Sequence, residues 1–512
     1  MSSKTHFFFL FFVATTLIGV FAQSEERFKG IETELNEILK VTNSPGFAVA
    51  VIDSLGIIYS KGFGYRDWEN KISMNANTLL PIGSTTKAFT CALLGQLRAE
   101  GKLSFEDSPI KHIPELSFYT AVLNENITIK DLMTHQTGIP RHDESWSLFP
   151  SQSKDSLILR MRYHEPFKGL RQQWHYSNFM FMAQGVLGER LTGKNWEQNI
   201  KERFFEPLDM QRSTTSISAL KKRSNVAIGY ELRQDKFIKK VAYFDLAGMG
   251  PAGSINSSVN EMARWMTVWL NEGRYNGKQI LPEVYVEEAM SSQAITSPSL
   301  PDEEFPDMHF STYGYGWFIS SYRGHYRLQH EGNIDGFSAN VSFFPSDGLG
   351  IVVLTNLSGS SLTSMVRNTI ADRMLGTERT DWVNDFRLSW EKARKEFKSS
   401  KEVSITEENT NDSTLFSIGK FTGSYENKGY GRFKIVQEKD SLLARFKLKK
   451  YYLKHIGNAI FKALERTDSG VLESDLPSFE FQFIPGVEEE PIGIHIKLEA
   501  FLEKPIIFKK IQ

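Results

Sequence analysis

Two strand–turn–strand patterns, at opposite ends of the region before Gly376, constrain the fold more than any other feature. Residues 47–52 and 57–60 flank a turn, and the pattern returns at residues 337–343 and 351–354. Short apolar or alternating runs bounded by turn residues predict β-strands. The sequence between the two patterns is mostly helical and loop-like. We therefore predict an α+β fold, in which one antiparallel sheet built from both ends is flanked by helices and packs on a helical region.

The composition changes after Gly376 and predicts a second, smaller domain. Residues 381–398 show a helical spacing of aromatic side chains, and the polar residues 399–413 indicate a linker. From Phe416 onward, short strand-like runs alternate with turns, which is typical of a small all-β barrel or sandwich, and we predict a barrel. The predicted divisions are 1–22 (signal peptide), 23–376 (α+β domain), 377–413 (helical and polar linker) and 414–512 (β-domain).

The first residues predict export. Lys4 precedes a mostly apolar run from Phe7 to Phe21, and small residues before Gln23 fit signal-peptidase cleavage after Ala22. The run is shorter than the roughly 20 residues that span a bilayer. We therefore expect a secreted or periplasmic chain without a transmembrane segment after cleavage.

Charge and cysteine content exclude several classes of protein. The 512 residues include 60 basic and 61 acidic side chains, a net charge of -1, without the basic excess of nucleic-acid-binding proteins. Cys91 is the only cysteine, so an internal disulfide and a cysteine-based metal cluster are excluded. We expect no nucleic-acid partner, no metal and no cofactor, while the oligomeric state stays open.

Ser84 and Lys87 are the first candidates for chemistry. Ser84 begins a predicted helix that continues to Glu100, and Lys87 follows one turn later on the same face. A serine hydroxyl needs a base to become a nucleophile, and a lysine amine can serve when burial or a nearby cation lowers its pKa. The alternative is that Ser84 is an ordinary helix N-cap.

Two later segments strengthen the catalytic interpretation. Tyr176 and Asn178 precede a helical stretch, where Tyr176 can relay a proton from Ser84 and Asn178 can hold a substrate carbonyl or the lysine amine. His330 and Gly332 lie on a short strand-like segment, where a strand edge can supply a backbone oxyanion donor and glycine permits close approach of a substrate.

These three motifs, in this order, resemble those of the serine β-lactamase and penicillin-binding-protein superfamily. The resemblance covers residues 25–376 and extends to the class C branch and its peptidase and esterase relatives. The supporting segments are 127–140, 202–210, 252–254, 261–265 and 353–356. Residues 421–425 resemble the lipocalin-like domains that follow some of these catalytic domains.

The resemblance implies a role for each motif residue. Ser84 would be the acylated nucleophile, with Lys87 as its base. Tyr176 would assist proton transfer to and from the leaving group, and Asn178 would help to orient the substrate. The backbone N–H groups of Ser84 and Asn333 would form the oxyanion hole.

The third motif departs from the β-lactamase pattern. True β-lactamases and transpeptidases have Lys-Thr-Gly there and bind the drug's carboxylate with it, whereas this chain has His330 and Glu331. Histidine is not reliably cationic at neutral pH, and Glu331 repels a carboxylate unless it points away. A third motif with histidine at this position resembles that of D-aminopeptidases and related peptidases and esterases. We therefore predict a serine hydrolase that cleaves small peptides, including ones that contain D-amino acids, or esters.

Two alternatives remain: a class C-like β-lactamase that hydrolyses antibiotics, and a catalytically silent penicillin- or peptidoglycan-binding sensor. The sensor is disfavoured because Ser84, Lys87 and Tyr176 are all present.

The remaining candidates receive structural interpretations. His135, His142 and Asp143 match no metal-ligand spacing and are interpreted as loop residues. Three tryptophans are interpreted as core residues: Trp146, Trp174 and Trp196. The tail has no second nucleophile–base motif, so we expect it to supply no catalytic groups. It would either shape access to the site or be a plain stabilising or oligomer-forming module.

Overall fold

A nine-stranded antiparallel sheet forms the centre of the first domain. In chain order its strands are β1 (Gly46–Asp53), β2 (Gly56–Asp67), β3 (Ile72–Ser73), β4 (Ala294–Ile295), β5 (Ser311–Tyr313), β6 (Phe318–Tyr322), β7 (His325–Ile334), β8 (Phe337–Phe344) and β9 (Leu349–Thr355). Their order across the sheet is β4-β5-β6-β7-β8-β9-β1-β2-β3. The two ends of the domain meet where β1 pairs with β9, with Phe47 opposite Thr355. The α+β fold with one sheet assembled from both ends is confirmed.

The computed structural model describes residues 26–233, 236–245, 247–297, 300–301, 306–404, 418–457, 459–466, 472–473, 479–486 and 490–511. The predicted signal peptide and residues 405–413 of the predicted linker lie outside these ranges. No helix within them is both long enough and apolar enough to cross a membrane.

Helices cover both faces of the sheet. They are α1 (Ile31–Val41), α2 (Thr86–Ala99), α3 (Pro109–His112), α4 (Ala121–Asn126), α5 (Ile129–Met133), α6 (Glu144–Ser147), α7 (Lys154–Ile158), α8 (Asn178–Thr192), α9 (Trp196–Ile200), α10 (Ile217–Leu220), α11 (Gly250–Gly253), α12 (Val259–Leu270), α13 (Glu283–Ala289), α14 (Leu362–Leu375) and α15 (Trp382–Ser404). Alternate residues of β1 enter two cores, since side chains alternate across a strand. Phe47 and Val51 pack with α1 and α14, whereas Ala48 and Ile52 pack towards the helical region.

The tail forms a closed barrel of eight antiparallel strands. They are β10 (Gly423–Asn427), β11 (Gly431–Glu438), β12 (Ser441–Arg445), β13 (Lys450–Gly457), β14 (Ile460–Arg466), β16 (Glu480–Pro485), β17 (Pro491–Ile496) and β18 (Ile506–Ile511), with the short β15 (Leu472–Glu473) paired to β14. Pairing of β13 with β14 closes the ring. The predicted C-terminal barrel is confirmed.

The barrel and the first domain share one apolar cluster. Leu148 and Phe149 of the first domain lie among the buried residues of the barrel core. The Phe149 ring stacks on Phe508 at a centroid distance of 5.7 Å and meets Phe446 edge-on at 5.3 Å. The separation of the two domains that the linker composition predicts is therefore incomplete, because the segment around Phe149 belongs to both.

The contact between α8 and α11 generates a stability prediction. A Cβ on Gly185 would overlap the ring of Pro251. Overpacking a filled core costs about 1–3 kcal/mol, so we expect Gly185→Ala to lower the free energy of unfolding by about that amount, although alanine is the better helix former.

Gly188→Ala is the matched control, because it lies on the same helix and its added Cβ would meet only the end of the flexible Leu93 side chain. Urea unfolding followed by circular dichroism measures both variants. Equal free energies of unfolding for the two would contradict this account of the contact.

Candidate active site

Ser84 lies where two backbone segments approach each other closely. It lies in a short 3-10 segment, Gly83–Thr85, that leads into α2 beside β7 of the sheet. Gly83 has a φ of 52°, and a Cβ there would lie 3.0 Å from the Asn333 backbone nitrogen. A Cβ on Gly332 would overlap the Ile82 carbonyl oxygen and lie 3.1 Å from the Ser84 nitrogen. From the sequence we expected Gly332 to permit the close approach of a substrate backbone. In the structure the backbone that approaches Gly332 is the chain's own, at Ile82 and Ser84.

The Lys87 amine has three polar neighbours and no exposure to solvent. Its Nζ lies 3.1 Å from Ser84 Oγ, 2.8 Å from Asn178 Oδ1 and 2.7 Å from the Ala252 carbonyl oxygen. The side chain is fully buried. A neutral amine has two hydrogens and one lone pair, so it can donate to the two carbonyl oxygens and accept the Ser84 hydroxyl hydrogen. An ammonium would donate to all three oxygens, so the contacts fit both protonation states, and only the neutral form can accept the Ser84 hydrogen.

Burial lowers the pKa of Lys87 well below its usual value. The positive charge of Arg141 lowers it further, while the negative charge of Asp143 acts in the opposite direction. Removal of an ammonium from water penalises its charged form. The lowered pKa favours the neutral form of Lys87, which the hydrogen-bond geometry also accommodates.

The Tyr176 ring lies against the Lys87 amine. Lys87 Nζ is 4.7 Å from the centre of the Tyr176 ring. The hydroxyl is buried without a hydrogen bond of regular geometry among the described residues. Burial raises the pKa of Tyr176, and its contact with Ser84 offsets part of this effect. At neutral pH the hydroxyl is protonated and close to Ser84.

Asn178 connects the amine to a charged pair that the sequence analysis missed. Its Oδ1 accepts from Lys87, and its Nδ2 donates to Asp143 Oδ1 at 3.0 Å. Asp143 also pairs with Arg141, at 2.6 Å, and accepts from Trp146 Nε1 at 2.8 Å. Interpretation of Asp143 as an ordinary loop residue was therefore incomplete. Two charges in a loop have no spacing that marks them, so only the fold reveals this network.

His330 is neutral in this environment. Nδ1 donates to the Glu331 carbonyl oxygen at 2.6 Å, since a carbonyl only accepts, and Nε2 faces the Tyr313 hydroxyl at 3.3 Å. Burial, followed by the nearby charge of Lys87, lowers the pKa of His330 to about 3. The third motif therefore provides no cation at neutral pH.

Glu331 points away from Ser84. It lies opposite Asn340 in the β7–β8 pair, and its oxygen accepts from the Asn340 side chain at 3.4 Å. Burial lowers the pKa of Arg367 on α14, on the other side of the sheet, and the negative charge of Glu331 offsets part of this effect. The condition that the sequence analysis attached to Glu331 is met.

A cleft of about 250 Å³ opens in front of Ser84. Its polar lining includes Asn178, Asn333 and the charged side chains of Arg141, Asp143 and Glu144. Its apolar lining residues are Trp146, Ile217, Tyr243, Phe244, Met249 and Ile334.

The interpretation of the tryptophans as core residues is correct for Trp196, which is fully buried, whereas Trp146 is partly buried, packs against the core and also lines the cleft.

The histidines considered as metal candidates have other contacts. His135 Nδ1 accepts from the Ser177 backbone N–H at 3.1 Å, and its carbonyl accepts from the His175 N–H at 2.9 Å, so it holds the backbone on both sides of Tyr176. His142 contacts the barrel. Across the part of the chain that the structure describes, no group of three or more potential ligands is arranged to bind a metal ion.

Comparisons with known proteins show what this chain is similar to. The family model described as Beta-lactamase matches residues 31–372. Protein flp from Staphylococcus aureus (strain MW2) is 25% identical over 344 residues, or 66% of this chain, and the chain covers 65% of the length of that relative. Unguisins hydrolase ungD' from Aspergillus campestris is 27% identical over 455 residues, covering 82% of this chain and 80% of the relative.

Two solved structures share the fold. The octameric penicillin-binding protein homologue from Pyrococcus abyssi matches with a TM-score of 0.62 and 20% identity, over 94% of this chain and 99% of the other. A D-stereospecific amidohydrolase from Streptomyces sp. matches with a TM-score of 0.56 and 21% identity, over 68% of this chain and 99% of the other. At these identities the likeness concerns the fold alone.

The low pKa of His330 predicts how stability depends on pH. Between about pH 3 and pH 6.5 the unfolded chain binds a proton at this residue and the folded chain does not, so stability falls as the pH falls. From pH 7 to pH 5 this loss amounts to about 2 kcal/mol. We expect His330→Gln to remove that part of the pH dependence.

Urea unfolding at pH 7 and pH 5 measures this difference. Tyr313→Phe is the control, since it removes the neighbouring hydroxyl and keeps the titrating ring. Identical pH dependence in wild type and His330→Gln would show that folding does not lower the pKa of His330, which would contradict this account.

Proposed function

Because this chain belongs to the beta-lactamase family, we propose that it is an exported serine hydrolase, which cleaves amide or ester bonds of small peptides or esters through an acyl-enzyme on Ser84. The observation that carries the proposal is the buried Lys87 amine, 3.1 Å from Ser84 Oγ and held by two carbonyl oxygens. Family membership supports hydrolysis as the reaction, because the relatives of this chain include a protein named as a hydrolase.

Acylation begins with proton transfer from Ser84 to Lys87. The neutral amine accepts the hydroxyl hydrogen while Ser84 Oγ attacks the substrate carbonyl carbon. Asn178 Oδ1 and the Ala252 carbonyl fix the two amine hydrogens, and their orientation aims the lone pair at Ser84. The ammonium that forms is stabilised by the same two oxygens and by Asp143.

The negative charge that develops on the substrate carbonyl oxygen needs hydrogen-bond donors close to that oxygen. The backbone nitrogens of Ser84 and Asn333 are brought together by the close approach of Gly83 to Gly332. Two backbone N–H groups at such a point stabilise a tetrahedral oxyanion. Tyr176, protonated at neutral pH, then gives its proton to the leaving group as the bond to the acyl carbon breaks, and it regains a proton from the Lys87 ammonium, which becomes neutral again. Water then attacks the acyl-enzyme by the reverse path and releases Ser84.

The third motif favours peptides and esters over β-lactam antibiotics. A β-lactam presents a carboxylate that needs a cation near the third motif, and His330 is neutral there. Glu331 does not repel a substrate carboxylate in the cleft, because its side chain points to the other face of the sheet. The relative ungD' is named as a hydrolase of unguisins, which supports a hydrolytic reaction.

Substrate size and compartment complete the proposal. A cleft of about 250 Å³ suits a short acyl group or a terminal residue better than a long folded chain. Export to the periplasm or the exterior rests on the apolar run and small residues before Gln23.

Covalent labelling tests the nucleophile. We expect a fluorophosphonate probe to add one adduct, which peptide mass spectrometry locates at Ser84, and Ser84→Ala to lower hydrolysis by at least about 1,000-fold. Ser364→Ala, on α14 beyond the sheet, is the matched control and should keep wild-type rates. An adduct on another residue, or undiminished turnover in Ser84→Ala, would exclude the mechanism.

A substrate panel tests the reaction class. Because the cleft lacks a cation at the third motif, we expect kcat/KM for a D-amino-acid anilide or a p-nitrophenyl ester to exceed that for a chromogenic cephalosporin by at least about 10-fold. The Ser84→Ala variant supplies the background rate for each substrate. Faster cephalosporin turnover would favour a β-lactamase, and a persistent adduct without turnover of any substrate would favour a sensor.

A further inference from the structure

The loop from Arg141 to Phe149 has two sides with different partners. One side lines the cleft through Arg141, Asp143 and Trp146. The other side contacts the barrel through His142, Ser145 and the buried Phe149 ring. The position of the charged pair beside Lys87 therefore depends on contacts made by the C-terminal domain.

Tyr430 makes the contact nearest to the charged pair. His142 is fully buried, and its Nε2 donates to the Glu165 carbonyl oxygen at 3.1 Å. Since a carbonyl only accepts, Nδ1 carries no hydrogen and accepts from the Tyr430 hydroxyl at 2.8 Å. Glu499 holds the same residue by accepting its backbone N–H at 2.8 Å.

Further bonds attach the loop at its next turn. The Gly429 carbonyl accepts from Ser145 Oγ at 2.7 Å and from His164 Nε2 at 3.0 Å. The His164 ring stacks on His142 at 4.4 Å. The barrel segment Gly429–Tyr430 and Glu499 thus hold the backbone immediately before Asp143.

A series of hydrogen bonds runs from Asp143, the residue after His142, to Ser84. Asp143 accepts from Asn178 Nδ2 at 3.0 Å. Asn178 Oδ1 accepts from Lys87 Nζ at 2.8 Å, and Nζ lies 3.1 Å from Ser84 Oγ. Displacement of Asp143 would free the Asn178 amide to rotate. The Lys87 amine would then lose a fixed acceptor, and its lone pair would no longer point at Ser84 Oγ.

We propose that Tyr430 of the C-terminal barrel is a positioning residue for the Ser84–Lys87 pair, acting through His142 and the loop that carries Asp143. This inference rests on the proposed serine-hydrolase function. It assigns the barrel an effect on the acylation step itself, beyond the shaping of access that the sequence predicts.

The test compares two buried tyrosines of the barrel. Tyr430→Phe removes the hydrogen bond to His142, whereas Tyr425→Phe removes one inside the barrel, from the Tyr425 hydroxyl to the Phe421 carbonyl oxygen at 2.9 Å. Both side chains are almost fully buried. The readouts are the rate constant for fluorophosphonate labelling of Ser84 and the separate kcat and KM for a small ester, at a temperature where all proteins are folded.

We expect Tyr430→Phe to lower the labelling rate and kcat by about 10-fold, with KM changed by less than about twofold. Tyr425→Phe should label at the wild-type rate even where its melting temperature falls. Wild-type labelling of Tyr430→Phe, or an equal loss in Tyr425→Phe, would overturn the inference.

A second pair keeps the inference testable if Tyr430→Phe does not fold. Glu499→Ala removes the acceptor for the His142 N–H, whereas Glu499→Gln keeps an acceptor oxygen, so we expect slowed labelling in the first and recovery in the second. Equal rates for the pair would count against a positioning role. Failure to label Ser84 in the wild-type protein would instead refute the proposed function, and this inference with it.

Discussion

The burial of the Lys87 amine is the constraint on which the rest of the site depends. An ammonium removed from water costs several kcal/mol unless it is paired, and the charged neighbours oppose each other, since Arg141 lowers the pKa of Lys87 and Asp143 raises it. The neutral form avoids this cost and needs two acceptors and one donor. Asn178, Ala252 and Ser84 meet that need. The arrangement that makes burial tolerable is also the one that the proposed role of Lys87 as a base requires.

The same constraint explains the neutral histidine in the third motif. His330 lies close enough to Lys87 for the charge on each to disfavour charge on the other, and burial acts on both. A second cation at this point would raise the cost of the ammonium that forms during acylation. A neutral ring, bonded to the Glu331 carbonyl and facing Tyr313, fills the position without that cost.

The two domains meet at the loop that adjusts this electrostatic balance. Phe149 is buried in the barrel core, while Asp143, six residues earlier, contacts Asn178 in the first domain. One short segment therefore contributes both to the barrel core and to the hydrogen bonds around Lys87. The TM-score match to the Pyrococcus abyssi structure extends over 94% of this chain, so the shared architecture includes both domains.

The sequence by itself determined the sheet, the barrel and the identity of the motif residues. The strand patterns around residues 50 and 340 indicated one sheet, because apolar alternation and turn residues are local signals. Ser84 and Lys87 also carry a local signal, one helical turn apart. Arg141, Asp143 and Tyr430 carry none, since their contacts join segments far apart in the chain. Only the tertiary structure decided that Gly332 accommodates the chain's own backbone, that Glu331 faces away and that the barrel holds the loop beside Lys87, because burial and long-range contact arise when the sheet, helices and barrel pack together.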